Sequence, residues 1–468
     1  MALFLYILLG AQIGLLEWRR HSRGEPLNAM TAFNVSYLVL FVFVPLNVIC
    51  FGEDVIRQKY AYETYGSGDA WTAFCLLFSY ILFSLGYSWK SPKKRGISSG
   101  HGAFSLRDST RVAKSIFFIG IFLTAVYVIQ IGGISKVITE ATAVRFGEVR
   151  LEGKYVFYRY FSQFSADAFV LFFAIVSGKR VRKIGIRARE KVFLFFALVF
   201  FVYYALSTAG RRPFIYPILL CFLVYWSMGA KTNKAAIVAL ALIFIIAGLG
   251  TILGPIILSG HASTVFDMFD INQADWKVLL TLTYDNTLQG LGDSYIHFVA
   301  MQKASLWQFG FLRDIVNLPQ DFLPSRLLGF QRNWELYRQI NDFFGEQLPE
   351  ASDGGPLGGG EPLGLHGYLL VNFGYLGMFV LFFVLGLFYK WVHIRLKPDD
   401  CKDAVGWLIY WWVVIGFFVY FRDGFLIYVI KDQLTWWLIA ALLLYYRANR
   451  QAALARMGAK PSLTSYHT

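Results

Sequence analysis

Charge is what this chain of 468 residues has least of: Asp, Glu, Lys and Arg make up only 16% of it, against about 25% in soluble domains. That shortage excludes an ordinary soluble enzyme. Cysteine is scarce too. Cys50, Cys75, Cys221 and Cys401 are the only four, and they show neither CxxC nor Cys/His ligand spacing, so they provide no disulfide framework and no zinc site. They read as core residues. The chain has no GxxxxGK[ST], no GxGxxG after a strand, no HExxH and no paired DxD-like acidic motif, so ATP, nucleotide sugar and zinc all lack a recognisable site. No internal repeat is evident, which removes the commonest sequence hint of a secondary transporter.

What is abundant is apolar. Hydrophobic residues reach 56% and aromatics 18%, and the mean hydropathy is +0.49. Nearly charge-free runs recur along the chain, each close to the roughly 20 residues that carry a helix across a bilayer. They predict eleven membrane helices, at 1–17, 31–50, 71–89, 115–133, 159–177, 192–208, 213–229, 235–258, 366–389, 404–420 and 424–446. The expected architecture is an all-α polytopic membrane protein. It divides into helices one to eight (1–258), a cap loop (259–365), helices nine to eleven (366–446) and a basic tail (447–468).

The net charge of +14 has a direction. The connections at 18–30, 90–114, 178–191, 231–234, 390–403 and 447–468 hold 27 basic and 6 acidic residues, which leaves 17 basic and 24 acidic for the rest. Such an asymmetry is the positive-inside signature. It predicts an outward N-terminus and cap and an inward C-terminus. Arg19, Arg20 and Arg23 follow the first apolar run and no basic residue precedes it, which argues against a cleaved signal peptide. The runs Lys93-Lys94-Arg95 and Lys179-Arg180-Val181-Arg182-Lys183 fit orientation and contact with anionic lipid head groups, rather than a nucleic-acid partner.

The cap, Ser259 to Leu365, is 107 residues long, too long for a mere connection. It holds short amphipathic pieces around Trp276–Leu282 and Asp293–Ala304, then Pro319, Pro324, Pro349 and Pro356, and a glycine-rich run at 354–360. These predict an ordered cap with a glycine segment beside the membrane. Of its aromatics, Trp334, Tyr337, Phe343 and Phe344 are candidates for stacking on sugar rings, whereas most of the chain's phenylalanines belong to core and lipid contact.

Arginines on the expected outer side run against the orientation rule, so each needs another reason to be there. Arg211 and Arg212 fall in a six-residue turn before Pro213. Arg145, Arg150 and Arg159 precede or open the fifth helix, Arg313, Arg326, Arg332 and Arg338 lie in the cap, and Arg422 stands next to Asp423 in the last outer turn. Guanidinium forks and free helix-terminal N–H groups both suit phosphate, whereas a lone surface arginine snorkels or forms a weak ion pair. Clustering across four loops favours a phosphate-rich ligand. Acid/base candidates are Glu361 and His366, flanking the entry to the ninth helix, and Asp293, either a helix-start residue or a catalytic carboxylate. Ionisable residues inside the spans are nearly absent, with Lys431 and Asp432 in the eleventh as the exceptions.

In its many spans, its large loop two-thirds of the way along and its outer arginines, the chain resembles the Wzy-type polysaccharide repeat-unit polymerases, which include the O-antigen and enterobacterial common antigen polymerases. The more specific parts are Ala209-Gly210-Arg211-Arg212 in a tight turn between two helices, Leu312-Arg313-Asp314 leading to Leu323-Pro324-Ser325-Arg326, and Phe421-Arg422-Asp423-Gly424. The resemblance implies a GT-C-like fold in the bacterial inner membrane and an undecaprenyl-pyrophosphate-linked oligosaccharide as both donor and acceptor. It also implies a flippase and a chain-length regulator as pathway partners. In that chemistry the pyrophosphates fall to Arg211, Arg212, Arg313, Arg326 and Arg422, with Arg145 and Arg159 as further substrate contacts. The acceptor hydroxyl falls to Glu361, His366 or Asp293. Fixed arginines can stabilise the leaving pyrophosphate without a metal, and no cofactor is expected. Two alternatives remain open: a lipid-linked glycan ligase, and a transporter or flippase of lipid-linked oligosaccharide, which would line its path with polar groups.

Overall fold

Asn28 shows how local sequence starts a helix here. Its side-chain oxygen accepts from the backbone N–H of Met30 at 2.9 Å and of Thr31 at 3.3 Å, satisfying two of the donors that a helix start leaves orphaned. The structure, a computed structural model, describes residues 1–23, 27–51, 70–89, 104–139, 153–208, 212–229, 294–295, 297–299, 301–302, 364–398, 400–424 and 433–456. Every regular element among them is helical. In chain order they are α1 (Ala2–Ser22), α2 (Ala29–Leu38), α3 (Val44–Phe51), α4 (Ala70–Ser88), α5 (Leu106–Ile131), α6 (Ile134–Thr139), α7 (Gly153–Phe161), α8 (Gln163–Val181), α9 (Ala188–Thr208), α10 (Arg212–Ser227), α11 (Gly364–Leu396), α12 (Ala404–Asp423) and α13 (Leu434–Arg456).

Among the described residues eight helical stretches are long and apolar enough to cross a bilayer. They fall on the first six, the ninth and the tenth of the expected spans, which makes the chain a polytopic helical membrane protein. The seventh span appears as the shorter apolar helix Pro213–Ser227, and the eighth, 235–258, lies outside the described residues. Of the eleventh, residues 425–432 lie outside the described residues. Gly424 closes α12 with φ 79°, and the next described helix starts only at Leu434, then runs to Arg456 through residues expected to form the tail.

The chain forms two compact units. One comprises residues 1–90, 273–395 and 413–432. Within it, a π-turn at Val39–Phe43 joins α2 to α3, and the Val44 N–H reaches five residues back to the Val39 carbonyl. Pro45 follows at once; it lacks an N–H and its ring would strike the carbonyl four residues before it, and widening the helix relieves that conflict. Helices α4 and α11 pack backbone to backbone, because a Cβ on Gly86 would lie 2.1 Å from the Phe383 carbonyl oxygen. Small residues permit such approaches in membranes, where burial from water drives little helix association. Phe33 stacks on Phe83 and meets Tyr389 and Phe421 edge-on. Polar atoms in this unit find partners: Glu17 accepts from Arg20 at 2.9 Å, Asn34 at 2.6 Å and Thr31 at 3.2 Å, and Tyr80 donates to Asn34 at 2.9 Å.

Helix α11 is interrupted. Gly374 sits at φ 65°, ψ −175°, a conformation essentially restricted to glycine, and it divides a ten-residue first piece from the longer remainder.

The other unit comprises residues 91–272, 396–412 and 433–468. Ser105 caps α5 through the Asp108 N–H at 3.4 Å. Gly120 brings α5 against α8, where an added Cβ would stand 2.4 Å from the Ser165 nitrogen. Phe169 stacks on Phe201 at 5.1 Å. At one end Lys179 pairs with Glu190, Arg182 donates to the Lys402 carbonyl at 3.0 Å, and Asp403 caps α12 by accepting from the Gly406 N–H at 3.0 Å.

Candidate functional site

His366 stands in the first turn of α11, completely buried. The imidazole stacks on Phe382 at 4.4 Å between centroids and meets Phe41 edge-on at 4.5 Å, with Phe298 at 5.4 Å. Its Nε2 lies 2.9 Å from the Tyr37 hydroxyl, which itself donates to the Leu76 carbonyl at 2.8 Å. Nδ1 is buried and meets no hydrogen-bond partner among the described residues. Besides Phe382 of α11 itself, two stretches build this cage, the helix running from α2 into the π-turn and residues 297–299. The π-turn supplies Phe41, α2 supplies Tyr37, and residues 297–299 of the expected cap supply Phe298.

Arg422 lies at the same end of this unit, half-buried in the last turn of α12, where a cation complements the helix dipole. Ser294 donates its hydroxyl proton to the Arg422 carbonyl at 2.5 Å. Two further contacts tighten the junction: a Cβ on Gly424 would lie 2.4 Å from the Gly364 carbonyl oxygen, and one on Gly364 would lie 2.7 Å from the Ser294 Cβ. Phe421 carries the packing inward to Phe382, the ring that covers His366. The start of α11, the end of α12 and the helical residues 294–295, 297–299 and 301–302 thus form one knot. The chain matches no family model, no curated protein and no solved structure.

Two of the ten expected site residues, His366 and Arg422, lie on the helix ends that this knot joins, Arg422 through its backbone carbonyl. Asp293 immediately precedes Ser294 but lies outside the described residues, as do Glu361, Arg145, Arg211, Arg313 and Arg326. In the second unit, Arg159 is half-buried near the end of α7, with its carbonyl accepting from Ser162 at 2.5 Å. Arg212 is the first residue of α10, one turn before Tyr216. Tyr216 belongs to a polar cluster in the apolar interior. Gln433 accepts from Tyr216 at 3.4 Å and from the Trp412 indole, and Thr435 donates to Asp167 at 2.5 Å. Asp167 is only 2% exposed.

Asp167 corrects an expectation: ionisable residues within the spans are not confined to Lys431 and Asp432, which precede α13 and lie outside the described residues. Its signal was present in sequence as one carboxylate in an otherwise apolar run, and an intramembrane ionisable group marks a functional candidate. Tyr37 and Ser294 carried no such signal. Among the described residues no three His, Cys, Asp or Glu side chains come together to hold a metal.

Proposed function

We propose that the chain is a glycosyltransferase of the Wzy type, built on a GT-C-like fold of eleven spans. It polymerises undecaprenyl-pyrophosphate-linked repeat units at the outer face of a bacterial inner membrane. What supports this most is that the helix ends carrying Arg422 and His366 are joined at one knot, through the Arg422 carbonyl, Ser294, Gly364 and Gly424. A cation for phosphate and a basic nitrogen for a hydroxyl are the two groups the reaction needs. The acceptor sugar hydroxyl attacks the anomeric carbon of the donor glycan. The bond from that carbon to the pyrophosphate oxygen breaks, undecaprenyl pyrophosphate leaves with the bonding pair, and the hydroxyl proton passes to the base.

In this reading Arg211, Arg212, Arg313, Arg326 and Arg422 hold the pyrophosphates and Arg145 and Arg159 extend the substrate site, while Glu361, His366 and Asp293 are the candidate bases. Burial of His366 means that it serves only when the helical residues carrying Phe298 move off the imidazole. Charge asymmetry orients the chain with its N-terminus and cap outside and its C-terminus inside, against anionic lipid. A flippase delivering the repeat units and a chain-length regulator are the partners this chemistry calls for.

The test is a reconstituted assay with purified protein and lipid-pyrophosphate repeat units, scored by product length. A ladder of polymers supports the proposal. A single transferred glycan indicates a ligase, and no product with all substrates intact overturns both. Lysine does not reproduce a guanidinium fork, so Arg212→Lys and Arg422→Lys should shorten the polymer as alanine does. Full-length polymer from both, at normal expression, would remove Arg212 and Arg422 from the mechanism.

A transport reading draws on the break in α11 at Gly374 and on Asp167 within the apolar interior, since interrupted helices and polar interiors line transport paths. Deleting the gene separates the readings. Single repeat units outside the cell fit the polymerase, and accumulation inside fits a transporter.

A further inference from the structure

We infer that Tyr37 is a positioning residue that holds His366 as the Nε2–H tautomer, making Nδ1 the nitrogen that takes the acceptor proton. The inference rests on the base role proposed above for His366, and goes beyond it by naming the atom and the residue that selects it. A tyrosine hydroxyl has one proton and a carbonyl oxygen can only accept. The Tyr37 proton is directed at the Leu76 carbonyl at 2.8 Å, so the Tyr37 oxygen faces His366 Nε2 at 2.9 Å as an acceptor, and Nε2 must carry the hydrogen.

The opposite tautomer is poorer in bonds. With the hydrogen on Nδ1, Tyr37 donates to Nε2 and gives up Leu76, so one hydrogen bond replaces two, and a buried N–H is left unmade among the described residues. A missing bond to a buried donor is the costlier omission. Reversing the ring by 180° offers no escape, because it would set a C–H against the Tyr37 hydroxyl.

Neither ring has room to adjust. Tyr37 is 1% exposed and lies 4.9 Å from Phe41 and 5.3 Å from Phe33 and Tyr80. Phe382 and Phe41 cover the imidazole. A partner that fixes which nitrogen of a histidine is basic is a recurrent arrangement where the other nitrogen does the chemistry. Tyr37 never touches substrate in this scheme. It acts through His366.

The experiment uses full-length protein in lipid bilayers, labelled with ¹⁵N-histidine, with the His366 signals identified by their loss in His366→Gln. Expected in the wild type is a protonated-nitrogen shift at Nε2 and a bare-nitrogen shift at Nδ1; the reverse pattern overturns the inference. In Tyr37→Phe, which keeps the ring and removes only the hydroxyl, Nδ1–H should appear and transfer should fall on the order of tenfold or more, as for other partners that orient a histidine. An unchanged tautomer or an unchanged rate in that variant overturns the positioning role. Full transfer by His366→Gln, with the wild-type shifts as expected, would instead sink the base role itself, and the two failures are thereby told apart.

Discussion

Gly86 and Gly386 meet where α4 crosses α11: a Cβ on the first would stand 2.1 Å from the Phe383 carbonyl oxygen, and a Cβ on the second 2.2 Å from the Phe83 carbonyl oxygen. Backbone cannot yield as a side chain does, so alanine at either position must drive the helices apart. Overpacking of this kind costs about 1–3 kcal/mol. Gly86→Ala and Gly386→Ala should each lower the apparent Tm of the detergent-purified protein, and the double variant should lose less than the sum, since both wedges open one interface. Gly14→Ala, with nothing within 4 Å, is the control and should match the wild type. Unchanged melting in both crossing variants would show that the helices do not approach this closely.

Asp167 and Thr435 give a second prediction. Thr435→Val keeps the shape and removes the hydroxyl that donates to the buried carboxylate. A buried acceptor deprived of a partner costs about 1–3 kcal/mol. Thr435→Val should therefore melt lower than wild type, and the double variant with Asp167→Leu should lose less than the two single losses added together, because both substitutions remove the same hydrogen bond. Thermal melts of the single and double variants decide this, and an additive double variant would mean the two side chains do not interact.

At Gly374 the backbone itself is the constraint. Alanine cannot adopt φ 65°, ψ −175° without strain of about 1–3 kcal/mol. Gly374→Ala should either destabilise the protein or straighten α11. The distance between spin labels placed at 367 and 388 reads out the second possibility, growing if the helix straightens. A variant as stable as wild type at an unchanged distance would show that the break is not set by this residue.

Asp403 supplies a pH dependence. Burial holds its carboxyl above the usual carboxylate range, while the Gly406 N–H, Arg182, Arg447 and the Phe104 backbone pull the other way. A carboxyl whose pKa is raised on folding contributes stability in acid, below its unfolded value of about 3.9, and loses that contribution as pH rises through the folded value. Asparagine caps a helix as well as aspartate and does not titrate. The advantage of Asp403→Asn over wild type in apparent Tm should therefore be near zero in acid and grow toward neutral pH. Relative to Asp403→Asn, Asp403→Ala should be less stable by about 1 kcal/mol of capping at every pH. A pH-independent difference between the asparagine variant and wild type would contradict this account.

The membrane helices were legible because length and hydropathy are the same property that a bilayer selects. The expected third span, 71–89, is α4 at Ala70–Ser88, and the sixth ends at Thr208 as expected. Of the eleventh, 425–432 lie outside the described residues; Gly424 ends α12 by its backbone angle although the apolar run 424–446 is continuous in composition. Alanine and arginine, good helix formers, then carry α13 past the apolar residues. Gly374 was invisible for a related reason, since glycine is common in membrane helices and only its φ reveals a break. One carboxylate barely moves the mean hydropathy of a span, so Asp167 passed unnoticed. The histidine candidate was legible from its place after the cap, but its partner was not: Tyr37 and His366 are 329 residues apart, and no periodicity links them.

The π-turn at Val39–Phe43 makes the number of residues between Asn28 and Pro45 matter as much as their identity. Deleting one residue of the turn would restore ordinary helical spacing, turning α2 by roughly 100° and drawing it about 1.5 Å along the axis relative to α3. Asn34 would then point away from Tyr80 and Tyr37 away from His366 in a single step, with no side chain altered. This stretch should accept many substitutions yet reject a change of length, so related chains that share the histidine cage should keep its residue count even where their sequences have drifted.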